Sequence, residues 1–150
     1  AILLPRPQRT GGPEILVGGN GVQRTLPLAA RYAKEWNAVY LTPKDFALLN
    51  VQLDELLRHA GRQPGEVRRS MMTGCVFGKN QAEVDQHAAA RTQGRHTPTD
   101  LRQRGMVAGD PAEIRDQLAV LESVGVQRVM LQWLDLDDLE GLQILAKSVV

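Results

Sequence analysis

Short apolar runs that alternate with helix-like stretches are the feature that most constrains the fold of this chain. Four runs have the length and composition of buried strands, and each is followed by a helical pattern. They lie at residues 15–17, 37–41, 71–77 and 126–132. Strands that alternate with covering helices form a parallel sheet with right-handed crossovers. The sequence therefore predicts an α/β fold of (βα) repeats, either an open doubly wound sheet or a barrel.

Capping residues mark where the predicted helices begin and end. Thr42-Pro43 and Asp110-Pro111 each place a capping side chain ahead of a proline at the first helical position, and Asn80 caps a third helix. Gly61 ends the helix that follows Thr42. The connection between the third and fourth predicted strands is longer than the others. It contains the polar stretch 94–109, which we expect to be a mobile segment between two helices.

A glycine-rich loop, Gly18-Gly19-Asn20-Gly21, follows the first predicted strand and precedes a helical stretch. Glycines allow backbone N–H groups to approach a ligand closely, and a helix N-terminus favours an anion. The dinucleotide fingerprint G-x-G-x-x-G does not fit, because Arg24 stands where the third glycine is required. The next strand also ends in Thr42-Pro43 instead of an acidic residue. The loop indicates either a phosphate site of another kind or a tight turn without a ligand.

Composition excludes several classes of function. The 150 residues are enough for one domain with a core, the formal net charge is only +1, and aromatic residues are 4% of the chain. These values argue against a nucleic-acid-binding protein. No apolar run approaches the roughly 20 residues that span a bilayer. A single cysteine, Cys75, cannot form an internal disulfide, so we expect a cytoplasmic location. The chain starts at Ala1 without Met, as expected of a processed chain or a segment of a longer protein.

Other chemically capable residues have a simpler structural interpretation. Acids after the last strand could serve a metal or acid–base chemistry, but stabilisation of a helix N-terminus is the favoured role. Cys75 is expected to be buried and inert, and Trp36 and Trp133 are expected to pack in the core, with ring stacking as the alternative. No histidine has metal-ligand spacing with a cysteine or an acid, so we predict no metal site. The acids are Asp135, Asp137, Asp138 and Glu140, and the histidines are His59, His87 and His96.

Five stretches, in this order and spacing, resemble the C-terminal half of a luciferase-like monooxygenase domain. This is the bacterial luciferase superfamily of flavin- and deazaflavin-dependent oxidoreductases. The first stretch resembles the family's P-P-I-x-I-G-G strand, the second the following helix, and the third stands where the family has A-D-G-W-N. The fourth resembles its G-T-P-E-E-V helix start, and the fifth its final strand. The stretches are residues 13–19, 24–33, Trp36-Asn37, 109–114 and 125–131, with Pro5-Arg6-Pro7 ahead of the first.

This resemblance implies half of a TIM-type (βα)₈ barrel, strands five to eight, as one domain over residues 1–150, with a cofactor at the C-terminal ends of the strands. The implied cofactor is FMN or the deazaflavin coenzyme F-420, and the implied chemistry is hydride transfer or oxygenation of a small-molecule substrate. In the family, the loop after the fifth strand helps to hold the cofactor phosphate. The residues carried over are Gly18, Gly19, Asn20 and Gly21, with Arg24 as a charge partner and Tyr40 as a wall for the isoalloxazine ring.

The resemblance also limits what can be assigned. A complete barrel has about 250 residues or more, and the family's proton-transfer residues lie in the first half, so no catalytic residue is assigned. Lys34-Glu35 replaces the family's Asp-Gly before Trp36. Because half a barrel leaves strand edges unpaired, we expect a two-fold homodimer or pairing with an N-terminal half; the chain could equally be a fragment of a longer enzyme. The alternative function is a non-catalytic half-barrel module that binds a phosphate ligand or self-associates.

Overall fold

The computed structural model describes residues 4–149, so the first three residues of the opening segment lie outside it. Strands and helices alternate along the chain, except that two helices separate the third and fourth strands and a short 3-10 turn lies at Pro64–Glu66. The strands are β1 (Leu16–Gly18), β2 (Glu35–Val39), β3 (Arg68–Phe77), β4 (Val107–Gly109) and β5 (Arg128–Gln132). The helices are α1 (Thr25–Tyr32), α2 (Pro43–His59), α3 (Gln81–Thr92), α4 (Pro98–Gln103), α5 (Pro111–Ser123) and α6 (Leu139–Val149).

All strand pairings are parallel, as the strand–helix alternation predicts. The strand order is β1-β2-β3-β4, and β5 also pairs with the long strand β3, which is central to the sheet. Residues 68–72 of β3 pair with β2, residues 70–74 pair with β5, and residues 75–77 pair with β4. The carboxyl ends of these strands therefore meet at one rim. The result is an α/β fold of (βα) units that forms part of a barrel.

The prediction of four strands was wrong, because the stretch 94–109 contains the additional strand β4 as well as helix α4. The Thr97 hydroxyl caps α4 by accepting the backbone N–H of Asp100 at 3.2 Å. The Asp100 carboxylate in turn accepts the backbone N–H of Thr97, which completes a capping box. All three residues of β4 are buried. A strand of three residues carries no periodicity that a sequence pattern can reveal, so the polar character of its surroundings concealed it.

The apolar core covers one face of the sheet. Trp36, Ala38 and Met71 project from β2 and β3 into a cluster that includes Phe46 and Leu53 of α2. Helices α1, α5 and α6 add further buried side chains to the same cluster. The predicted caps at Thr42, Asn80 and Asp110 are confirmed, since each side chain accepts a backbone N–H of the helix that follows it. No helix within residues 4–149 is long and apolar enough to cross a membrane.

Alternate residues of the strands point away from that core, toward what we call the inner face of the sheet. This face is polar. Asn37 donates to the Ser70 hydroxyl at 2.9 Å, and Glu35 lies 3.4 Å from the Arg68 guanidinium and 3.1 Å from that of Arg128. A barrel interior closed by other strands would enclose these residues, so the inner face is where a complete barrel would meet its second half.

Candidate functional site

The glycine loop lies at the carboxyl end of β1, on the rim where the parallel strands end. Gly19 has a φ of +117°, a conformation that side chains rarely adopt. Its N–H donates to the Asn37 carbonyl at 2.9 Å, and its carbonyl accepts the Trp36 indole N–H at 2.8 Å. Gly19 therefore turns the chain at the strand end, while both of its own backbone polar groups bond to β2.

Asn20 fixes this loop to the end of β2. Its side-chain Nδ2 donates to the Val39 carbonyl at 2.7 Å, and its Oδ1 accepts the Val39 N–H at 2.9 Å. A side-chain amide that bonds both polar groups of one residue continues the strand ladder by one step beyond Gly18. The Asn20 side chain is thus committed to the protein, and its contribution to a ligand would come from its backbone.

The backbone from Asn20 to Thr25 presents a row of N–H groups. Within the part of the chain that the structure describes, none of the six N–H groups at positions 20–25 donates to a protein acceptor. Arg24, the residue before helix α1, provides no side-chain cap, whereas α2, α3, α4 and α5 each have one. Gly21 and Arg24 are exposed. Unpaired N–H groups at a helix start, with an arginine beside them, form an arrangement that suits a phosphate or another anion.

Tyr40 extends the site along the rim from the glycine loop. It directly follows Val39, the residue that Asn20 holds, and has a φ of 52°. Its hydroxyl donates to the Gln132 side-chain carbonyl at 2.6 Å, so the phenol reaches across β3 to β5. Gly74 makes room for this crossing, because a Cβ there would lie 3.1 Å from the Tyr40 hydroxyl. A non-glycine residue in the left-handed region carries backbone strain, which is often found at ligand sites.

The structure thus brings together the glycine loop, Arg24 and Tyr40 on one rim. Two residues of this rim were missed from the sequence. Gln132 is the bonding partner of Tyr40, and the Arg91 guanidinium lies 2.9 Å from the position of a Cβ at Gly74. Arg91 belongs to α3, whose pattern indicates only an exposed polar face, and no sequence signal places it beside a strand 16 residues earlier.

The remaining candidates mostly have the structural roles that the sequence favoured. Trp36 is fully buried and stacks on Phe46, with ring centroids 5.3 Å apart. Cys75 is buried, and burial raises the pKa of its thiol to about 12, so it stays protonated at neutral pH. Asp138 accepts the Gly141 N–H at 2.8 Å, as expected of an acid at the start of α6.

Trp133 differs from Trp36 because it lines a cavity while contacting the core. It lies 6.3 Å from the Phe77 ring, and its indole N–H donates to the Asp135 carbonyl. His87 lines the same cavity, with Nδ1 2.6 Å from the Phe77 carbonyl. Because that carbonyl can only accept, Nδ1 carries the proton. Among residues 4–149, no three His, Cys, Asp or Glu side chains are grouped closely enough to hold a metal ion.

Comparison with known proteins agrees with this architecture. The chain superposes on a coenzyme F-420-dependent tetrahydromethanopterin reductase from Methanopyrus kandleri, with 19% identity, a TM-score of 0.72, and coverage of 95% of this chain and 51% of that one. An F-420-dependent secondary alcohol dehydrogenase, in complex with an F-420–acetone adduct, has 15% identity and a TM-score of 0.76 over 100% of this chain and 52% of its own. The oxygenating constituent of 3,6-diketocamphane monooxygenase from the CAM plasmid of Pseudomonas putida, in complex with FMN, has 16% identity and a TM-score of 0.70 over 92% of this chain and 48% of its own.

The chain therefore spans about half the length of these solved structures. A search of curated proteins finds no match. The sequence model of the luciferase-like monooxygenase family matches residues 1–97, which include the glycine loop, Tyr40 and the whole of β3. That match covers well over half of the chain, and the partial barrel has the fold of the solved structures. The chain belongs to the luciferase-like monooxygenase family.

Proposed function

We propose that this chain is the cofactor-phosphate-binding half of a flavin- or F-420-dependent oxidoreductase. The observation that carries the proposal is the row of unpaired N–H groups at positions 20–25, on the strand-end rim of a luciferase-like half-barrel. Two of the structural neighbours are F-420-dependent and a third contains FMN, and both cofactors have a phosphate. A phosphate fits the row because its oxygens accept hydrogen bonds and its charge suits the start of α1.

The geometry supports a division of roles among these residues. The backbone of Asn20 and Gly21 and the Arg24 guanidinium would hold the phosphate, while Asn20 fixes the loop through Val39. Tyr40, fixed by its bond to Gln132, would form a wall for the ring system. When bound, the cofactor supplies the hydride or the reduced flavin that the family's redox chemistry needs. This chain's own residues would bind and orient it.

A comparison of FMN with riboflavin, which lacks the phosphate, tests this proposal. We expect FMN to bind at least about tenfold more tightly than riboflavin, because charge-assisted hydrogen bonds are the strong ones. Val22→Asp places a carboxylate beside the N–H row and should weaken FMN binding without changing riboflavin binding. Leu28→Asp is the matched control, since Leu28 is 50% exposed and Val22 48% exposed, but Leu28 lies away from the loop. Equal affinities for FMN and riboflavin would refute the phosphate site.

We further propose that the inner face is covered by a second half-barrel, either another copy of this chain or an N-terminal half. Arg68 and Arg128 share the single carboxylate of Glu35, which leaves one positive charge in excess. A second copy would bring two more arginines for one more carboxylate, so the charge favours a different half that contributes an acid. Light scattering distinguishes the two. We expect a monomer at low salt, and a stable dimer at low salt would identify a second copy as the partner.

A further inference from the structure

A second candidate site is a cavity between α3 and the segment that follows β5. The cavity has a volume of about 310 Å³, at the lower end of the range for small-molecule sites. Its floor is apolar and consists of Cys75, Phe77 and Trp133. The Phe77 and Trp133 rings are tilted by 48° with their centroids 6.3 Å apart. This floor would bury one face of a small aromatic ring.

Arg91 is an exposed cation at the cavity wall. Its Nη1 donates to the Cys75 carbonyl at 3.0 Å, which holds the guanidinium against the end of β3. No carboxylate within residues 4–149 lies within 4.0 Å of it, whereas Arg69 and Arg102 each contact an acid. Several of the Arg91 donors are therefore available to a ligand, and a planar guanidinium suits a carboxylate.

Acids on the opposite wall make the cavity electrostatically asymmetric, with negative charge facing Arg91. Asp138 is already engaged, because its Oδ1 accepts the Gly141 N–H at the start of α6. Asp135 lies on the exposed loop after β5. These carboxylates would repel an anion from the loop side, so an anionic ligand would place its charge toward Arg91 on α3.

We propose that this cavity binds a small aromatic carboxylate, with its ring on Phe77 and Trp133 and its carboxylate on Arg91. The Arg91 Nη2 lies 2.9 Å, and the Tyr40 hydroxyl 3.1 Å, from the same point, the position of a Cβ at Gly74. The carboxylate end of the ligand thus adjoins the rim that carries Tyr40. The assignment of this ligand as the substrate rests on the proposed function, whereas its binding to the cavity does not.

Phenylacetate and its neutral counterpart phenylacetamide are the probes, measured by titration calorimetry with the whole chain and no flavin. We expect phenylacetate to bind about tenfold more tightly, and Arg91→Gln to abolish that preference while the phenylacetamide affinity stays the same. The matched control is Arg95→Gln. Arg95 lies just after α3, donates to the Thr92 carbonyl and does not line the cavity, so this variant should keep the preference.

Equal affinities for the two probes in the wild-type chain would overturn the proposal, and so would a preference that survives in Arg91→Gln. Circular dichroism establishes that each variant is folded. Should Arg91→Gln fail to fold, Arg91→Lys is the variant to measure. It retains the charge and should keep a reduced preference for phenylacetate over phenylacetamide. Equal binding of both probes by folded Arg91→Lys would contradict charge recognition. Val22→Asp separates the two proposals, because it acts on the flavin phosphate and lies outside this cavity.

Discussion

Replacement of Asn20 by alanine should destabilise the fold through two hydrogen bonds at once. The Asn20 amide satisfies both the N–H and the carbonyl of Val39, at 2.9 and 2.7 Å. Each bond contributes about 1 kcal/mol, and each buried group left unpaired adds a penalty of about 1–3 kcal/mol. Because Val39 is half-buried, water would replace part of the loss. We expect the free energy of unfolding to fall by about 2–4 kcal/mol.

Asn20→Asp has the same shape and gives a sharper test. An ionised carboxylate still accepts the Val39 N–H but places its second oxygen against the Val39 carbonyl, where the asparagine donates at 2.7 Å. A protonated carboxyl group could donate there. The folded state therefore favours the protonated form, which raises the pKa of the new acid above its unfolded value of about 3.9. The variant should be most stable below that value and lose stability as pH rises through the folded pKa.

Urea denaturation followed by circular dichroism measures both effects, with midpoints converted at constant m-value. Asn80→Ala is the control. It also removes an asparagine side chain, but one that accepts a single N–H at the exposed start of α3, so we expect a loss of about 1 kcal/mol. A loss at Asn20 no larger than that at Asn80, or an Asn20→Asp variant whose stability is independent of pH, would refute the inference that this clamp joins the loop to β2.

Three further outcomes follow from buried groups. In thermal unfolding, Gly105→Ala should lower stability by about 1–3 kcal/mol, because Gly105 has a φ of +76° and the new Cβ would lie 2.5 Å from the Tyr40 backbone. Gly65→Ala is the control, since its Cβ meets nothing within 4 Å and it should be neutral. Arg69→Met should lower the free energy of unfolding by about 3 kcal/mol in urea, since the buried guanidinium bonds Asn50, a carboxylate of α2 and two backbone carbonyls. Arg68→Met, at a half-exposed ion pair, should lower it by under about 1 kcal/mol. Burial raises the pKa of the Cys75 thiol from 9.0 to about 12, so between these pH values the thiol ionises in the unfolded state but stays protonated in the folded state. Stability should therefore fall as pH rises from 9.0 toward about 12. Cys75→Ala should show less of that fall, and an unchanged pH profile in Cys75→Ala would contradict this reasoning.

The sequence was sufficient to predict the parallel (βα) architecture, because it rests on local signals. Thr42, Asn80 and Asp110 cap helices as their positions predict. The predicted start of the third strand was three residues late, since β3 begins at Arg68. Arg69 is 5% exposed, and it can be buried only because Asn50 and an acid of α2 bond its guanidinium. The burial of Arg69 depends on partners distant in the sequence, so it could not be predicted from an arginine in a polar stretch.

The candidate site shows the same division between local and long-range information. The glycine loop was predicted, because glycines before a helix are a local pattern. The hydrogen bonds that join this loop and Tyr40 to the sheet were not predicted. Asn20 bonds Val39, 19 positions away, and Tyr40 bonds Gln132, 92 positions away. These contacts exist only because the parallel register brings the carboxyl ends of β2, β3 and β5 to one rim. Local sequence patterns therefore indicate which residues are candidates for a site, whereas the strand register determines which of them come into contact.

The one-sided core has a consequence for how such domains can be recombined. The large buried side chains of the strands, such as Trp36 and Met71, contact this half's own helices, while the inner face carries polar groups such as Asn37 and Ser70. Exchange of the other half for a foreign one would leave that core intact and would demand a match only along two strand edges and one polar surface. Half-barrels of this kind are natural building blocks for chimeric barrels, in which one half could be inherited separately from the other.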